Sequence, residues 1–268
     1  MLIVTDGAVD LPGRLEHSPQ LRNVPGQVWL GEQPFTGSGD EFWSLLRSGT
    51  YPWTTPPTVD ALAAAYHHLD LVIAVHVSGE LSATVAHALE ASTRAGSGIA
   101  VVDSRSLSVG AGLIATAVHR ALDEASGTQL IAEFARSLPE RLHTFALIQD
   151  VESLRRSDRS GLLPKGHLTT NRPLLLAIRG RVVPLEQPKN RAGAVNHLIT
   201  HVRHSAGSKV GGWALGHGDA TDCDRLVEQI SQALGMPPSF LATLDPTVGA
   251  HVGPEAVVIG AITGPIEL

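Results

Sequence analysis

Leu71-Val72-Ile73-Ala74-Val75-His76-Val77, followed by Ser78-Gly79-Glu80-Leu81-Ser82-Ala83-Thr84, decides the fold class of this chain. Residues 71–77 are apolar on both faces, so a strand built from them has no side left for solvent. That is the mark of a central parallel strand covered by helices. Ser82 is placed to cap a helix over residues 83–95.

The same grammar extends outward. Residues 2–5 read as a buried strand ended by Asp6-Gly7. Residues 99–102 form another, closing on Asp103-Ser104 ahead of a helix over 107–125. Phe42, Leu45 and Leu46 recur at helical spacing within 39–48, which stops at Gly49. Pro52, Pro56 and Pro57 keep 53–58 out of helix, because proline fixes its own φ and extends its predecessor. Thr58 is an N-cap for a helix over 59–68, with Asp60 in its first turn. Strands alternating with helices give a doubly wound, mostly parallel α/β sheet whose ligands lie beyond the carboxyl ends of the strands. Thr5-Asp6, Ser78 and Asp103-Ser104 fall at that edge.

Downstream, a helix over 128–137 leads to a strand over 144–149, after which the texture changes. Residues 151–165 are short, basic and loop-like; 173–178 and 182–186 suggest a hairpin turned at Arg179-Gly180-Arg181. A helix (192–204), a strand (210–215), a helix (220–234) and a closing strand (256–262) follow. The expected division is an N-terminal α/β domain, 1–148, and a C-terminal α/β domain, 149–268.

Composition narrows the function classes. The 268 residues carry a net charge of −6, which argues against a duplex nucleic-acid binder and its basic face. A single cysteine, Cys223, excludes an intrachain disulfide and suits a reducing compartment. Met1-Leu2-Ile3-Val4-Thr5-Asp6 lacks a basic leader region, and residues 71–77 are far short of the ~20 apolar residues that span a bilayer. The expectation is a soluble, cytoplasmic protein without stable membrane insertion.

Thirteen histidines raise the question of metal. His197, His201 and His204 share one helical face, but no third ligand is evident in the sequence, and a solvated or partner-facing surface is the simpler reading. His67-His68 closes a helix. Gly110-Ala111-Gly112 lacks the dinucleotide fingerprint and reads as close packing. No Gly-x-Ser-x-Gly elbow or Walker loop occurs, and no cofactor is expected. Asp6 and Asp10 are four apart, not the two of aspartate phosphotransferases. What remains are hydroxyl-bearing turns, Thr54-Thr55 and Ser78/Ser82, with His251 between Gly249-Ala250 and Gly253-Pro254. Singly these are caps, turn formers or a packed histidine. Together they suit a carboxylate that must be held without being attacked.

Their order resembles the DegV family of bacterial fatty-acid-binding proteins from end to end. Thr5-Asp6-Gly7-Ala8-Val9-Asp10-Leu11-Pro12 is similar to Thr-Asp-Ser-x-x-Asp-Leu-Pro, with Gly7 in place of serine. Thr54-Thr55-Pro56-Pro57-Thr58 resembles Thr-Ser-Gln-Pro-Ser; residues 78–84 resemble Ser-Ser-x-Leu-Ser-Gly-Thr, with Gly79 at the second serine. Residues 154–160 resemble the Gly-Arg loop, with Asp158 before Arg159, and His251-Val252-Gly253-Pro254 matches His-x-Gly-Pro. The resemblance implies two α/β domains with a ligand cleft between them. It implies no enzyme activity but non-covalent binding of a long-chain fatty acid, its carboxylate on Thr54, Thr55, Ser78, Ser82 and His251. It further implies presentation of that carboxylate to a separate fatty acid kinase, which Arg159 would contact. The alternatives are a phosphotransferase or hydrolase using Asp6 or His251, and an interaction protein whose cleft is filled by side chains.

Overall fold

The computed structural model describes residues 1–67, 71–96, 98–124, 127–156 and 171–266. The chain opens with strand β1 (Leu2–Asp6), buried throughout, then the short helix α1 (Gly13–Glu16) and strand β2 (Leu21–Val24). Strands β3 (Gln27–Leu30) and β4 (Gln33–Pro34), helix α2 (Gly39–Arg47) and strand β5 (Trp53–Thr55) follow. Next come α3 (Val59–Tyr66), β6 (Val72–His76), α4 (Thr84–Ala95), β7 (Ile99–Asp103), α5 (Ser108–Glu124) and α6 (Thr128–Ser137). Ser38 caps α2 in a reciprocal pair with Glu41, and Thr58 caps α3 as its sequence position predicts.

The order β2-β1-β6-β7 makes a parallel sheet wound on both faces. Successive side chains alternate between its sides: Val4, Val72 and Ala74 pack with Leu62 and Tyr66 of α3 and Ala88 of α4. Ile3, Ile73 and Val75 pack with Ile114 of α5 and Ile131 of α6. The chain leaves β1 for β2 on one side and returns to β6 on the other. This puts the topological switch between the ends of β1 and β6.

The second half supplies β8 (Leu142–Ile148), α7 (Val151–Arg156), β9 (Leu174–Arg179), β10 (Arg181–Glu186), α8 (Arg191–Ala206), β11 (Val210–His217), α9 (Cys223–Leu234), β12 (Phe240–Thr243), α10 (Pro246–Val252) and β13 (Val257–Thr263). Their sheet runs β10-β9-β8-β13-β11-β12, antiparallel except for β11–β12. Phe145, Leu147 and Leu175 face α8 and α9, whereas Ala146, Leu176 and Ile178 face inward. The β9–β10 hairpin turns at Gly180, whose φ of +79° suits glycine.

Helix α5 lies between the two sheets, giving Ile114 and Val118 to one core and Val109 and Leu113 to the other. Gly110-Ala111-Gly112 is indeed a close-packing segment. A Cβ on Gly112 would stand 2.0 Å from the Asp10 carbonyl oxygen, and one on Gly260 of β13 would stand 2.7 Å from Gly110 Cα.

Some elements depart from the sequence reading. The stretch taken as a turn at 53–55 is a strand, paired with β3, with Pro52 and Pro56 outside the ladder. Part of the loop expected at 151–165 is helix α7. Asp150 accepts from the Glu152 N–H, Glu152 pairs with Arg156, and Val151 and Leu154 are buried. Strands β2, β3, β4 and β12 and helix α10 carry too little apolar pattern to stand out. Strand β8, which ends at Ile148, belongs to the second sheet, where it pairs with β9 and β13. His68, Asp158 and Arg159 lie outside the described residues.

Candidate functional site

Between the sheets, beyond the switch point, lies a narrow cleft with a cavity volume of about 90 Å³. The inward face of the six-stranded sheet supplies Ala146, Leu176, Ile178 and Val182, and Leu81, Leu107, Leu154 and Val248 add further apolar wall. Asp6, Thr54, Thr55, Ser82, Thr84, Thr247 and His251 are its polar lining.

Thr54 and His251 meet across the cleft, with Thr54 Oγ1 2.9 Å from His251 Nε2. Thr54 comes from β5. His251 sits not in a turn, as its glycine-rich neighbourhood suggests, but in the last turn of α10. Asp245 caps that helix by accepting from the Thr247 N–H at 2.7 Å, and Pro246 starts it with a preset φ. Gly249 lets α10 lie on α2: a Cβ there would come within 2.6 Å of Phe42 Cε1 and 2.7 Å of Trp43 Cη2.

Thr55 lines the cleft with its Oγ1 accepting from Trp29 Nε1 at 3.2 Å, and Trp53 stacks on Trp29 at 5.4 Å. Ser82 also reaches the cleft. Its Oγ lies 2.8 Å from Thr84 Oγ1 and accepts from the Thr84 N–H, where α4 begins. His87, one turn on, donates from Nδ1 to the Pro57 carbonyl at 2.8 Å and fixes this helix end beside Thr54-Thr55.

Ser78 stands apart from the other four expected residues. It is fully buried, does not line the cleft, and donates its hydroxyl to the Gly180 carbonyl of the β9–β10 turn. Its role in this arrangement is to tie the end of β6 to the second sheet. Gly79, at the second serine position, leaves its N–H to Asp103 Oδ2 at 3.3 Å.

Asp6 lines the cleft, yet its oxygens are engaged with the protein. Oδ1 accepts from the Ala8 N–H at 2.8 Å; Oδ2 accepts from the Val77 N–H and His76 Nδ1, each at 3.0 Å. His76 Nε2 in turn lies 3.1 Å from the buried Tyr66 hydroxyl. Burial pushes the Tyr66 phenol up, so it stays protonated and donates, leaving Nδ1–H to serve Asp6. Asp6 thereby locks the ends of β1 and β6 together. Asp10 lies deeper: it accepts from Ser108 Oγ at 2.5 Å and from the Asp245 N–H at 2.8 Å, joining the β1 loop to α5 and α10.

The sequence reading did not single out Thr84 or Thr247 for the site. Gly7 is the signal that leads to Thr247: a Cβ on residue 7 would lie 2.9 Å from Thr247 Oγ1, so the missing side chain makes room for that hydroxyl. The histidine face of α8 is a clamp on Glu186 of β10, with His197 Nδ1 at 2.5 Å and His201 Nε2 at 2.8 Å; His204 is exposed beside it. Among the described residues no group of three or more His, Cys, Asp or Glu is arranged to hold a metal ion. Nor, among them, is any helix long and apolar enough to cross a membrane.

The family model described as "Uncharacterised protein, DegV family" matches residues 1–264 of this chain. A DegV domain-containing protein of Mycobacterium tuberculosis is 27% identical over 267 residues, covering 96% of this chain and 95% of its own. Among solved structures, a fatty-acid-binding DegV family protein from Thermus thermophilus superposes with a TM-score of 0.83 at 22% identity, over 98% of this chain and 99% of that one. A stearic acid-binding protein from Eubacterium ventriosum gives 0.87 at 16% identity, over 98% of each. These structural likenesses establish a shared fold of two α/β domains.

Proposed function

Since the chain belongs to the DegV family, we propose that it binds one long-chain fatty acid non-covalently in the cleft between its sheets. The observation that carries this reading is the Thr54–His251 pair set at the polar part of an otherwise apolar cleft. A carboxylate there would take hydrogen bonds from Thr54, Thr55, Ser82 and His251, with Thr84 and Thr247 within the same lining. The first turn of α4 adds the favourable end of a helix dipole. The acyl chain would run along Leu176, Ile178 and Val182. Each buried methylene contributes ~0.8 kcal/mol, so the tail outweighs a head group held by neutral bonds of about 1 kcal/mol each.

Presentation of the bound carboxylate to a separate fatty acid kinase is the finer part of the proposal, with Arg159 as the contact. A cytoplasmic location, and a chain without catalysis of its own, go with it. The alternative, hydrolysis or phosphoryl transfer through Asp6 or His251, is less favoured. Asp6 is spent on two backbone N–H groups and His76, and His251 is held by Thr54.

Native mass spectrometry of the purified protein tests the proposal. It should carry one fatty acid of long chain, released on denaturation, and should turn over neither generic phosphate nor ester substrates. Absence of an adduct after incubation with palmitic acid, or metal-dependent turnover, would overturn it.

A further inference from the structure

Away from the cleft, α1, the turn after it and the second half of α5 border an open groove of about 530 Å³. Arg14, His17, Ser18, Thr116, His119 and Arg120 line it, and among the described residues no carboxylate does. This local excess of positive charge stands out on a chain of net charge −6.

The groove is preformed. Leu15 is buried in the core beneath the parallel sheet, and its N–H donates to the Pro12 carbonyl at 2.7 Å. The turn closes with the Ser18 N–H on the Leu15 carbonyl at 3.0 Å. Ser18 Oγ then lies 3.0 Å from His119 Nε2, holding that ring from the far wall. Neither Arg14 nor Arg120 has an acidic partner among the described side chains.

A second observation points to a ligand. Thr116, only 4% exposed at the groove, has a hydroxyl with no hydrogen-bond partner. A buried hydroxyl left in that state is costly, and a helical threonine ordinarily satisfies itself on the preceding turn. Two guanidinium groups, two imidazoles and a spare hydroxyl form a donor set matched to the oxygens of a phosphate.

We infer that this groove is an anion site, distinct from the fatty-acid cleft, that takes a phosphate monoester. The ester is either a small soluble one or the head group of a lipid; the chemistry recognised is the same.

The test follows histidine imidazole resonances of the whole protein during titration with inorganic phosphate and with glycerol 3-phosphate. It is paired with sedimentation of phosphatidylcholine vesicles with and without phosphatidic acid. Saturable shifts of His17 and His119 are expected, weakened roughly tenfold or more in Arg14→Gln and Arg120→Gln and several-fold in Thr116→Val. Saturation by glycerol 3-phosphate assigns a soluble ester. Binding only to phosphatidic acid vesicles, lost in Arg120→Gln, assigns a lipid head group. No saturable response to any probe, or a response unchanged in both arginine variants, overturns the site. Fatty-acid binding measured on the same samples keeps this outcome separate from that of the cleft, and Thr54→Val should leave the phosphate response intact.

Discussion

Thr54, within β5, and Ser78, just beyond the end of β6, are both hydroxyl residues, and the structure gives them different work. Thr54 faces His251 across the cleft, so Thr54→Val should weaken fatty-acid binding roughly tenfold with little loss of stability, as measured by calorimetry. Ser78→Ala should do the reverse: affinity nearly unchanged, but about 1–3 kcal/mol of stability lost in urea because the buried Gly180 carbonyl loses its donor. A large affinity loss in Ser78→Ala would put that hydroxyl back on the ligand. Residue types on their own singled out Thr54, Thr55, Ser82 and His251, which the fold brings to one cleft. They did not reveal which hydroxyl points into the cleft, because that depends on a contact between Ser78 and Gly180, 102 residues away. Arg159 is a separate residue-scale test: if it contacts a kinase, Arg159→Ala should spare fatty-acid binding and abolish acyl-phosphate formation with a cognate kinase. Loss of both would mean a structural role.

Helix α10 is the element on which the site depends most, and its seven residues were among the least legible. Residues 2–5, 71–77 and 99–102 announce themselves because burial on both faces demands unbroken apolar runs. A short helix between two sheets carries no such period, and its glycines read as a turn. Its seating on α2 rests on Gly249, so Gly249→Ala should cost about 1–3 kcal/mol by overpacking Phe42 and Trp43. It should also weaken ligand binding, because His251 moves with the helix. Asp10 ties the same helix to α5 and the β1 loop. Burial raises its carboxyl from 3.8 to about 7, against the hydrogen bonds from Ser108 and Asp245 that favour the charged form, while Asp245 and Asp6 push it further up. Because the folded pKa is the higher one, the unfolded chain loses its proton first as pH rises. Stability should therefore fall between about pH 4 and 7, by on the order of 4 kcal/mol at most. In Asp10→Asn, which keeps the shape of the group, urea midpoints at about pH 5 and about pH 8 should differ less than in the parent. An unchanged difference would remove Asp10 as the source.

At the scale of the whole molecule, the two sheets meet across α5 and leave their facing ends open as the cleft. The doubly wound half was legible because strands and helices alternate there. The partition between sheets was less so, since β8 looks like another parallel strand until its antiparallel partners β9 and β13 are known. The central claim concerns what this joint holds: an acyl tail, whose burial supplies most of the affinity. The most direct measurement is a calorimetric series of saturated fatty acids of increasing length against the purified, delipidated protein. At ~0.8 kcal/mol per buried methylene, octanoic acid should bind at least about a hundredfold more weakly than palmitic acid. Equal affinity for the short and the long acid would contradict the account.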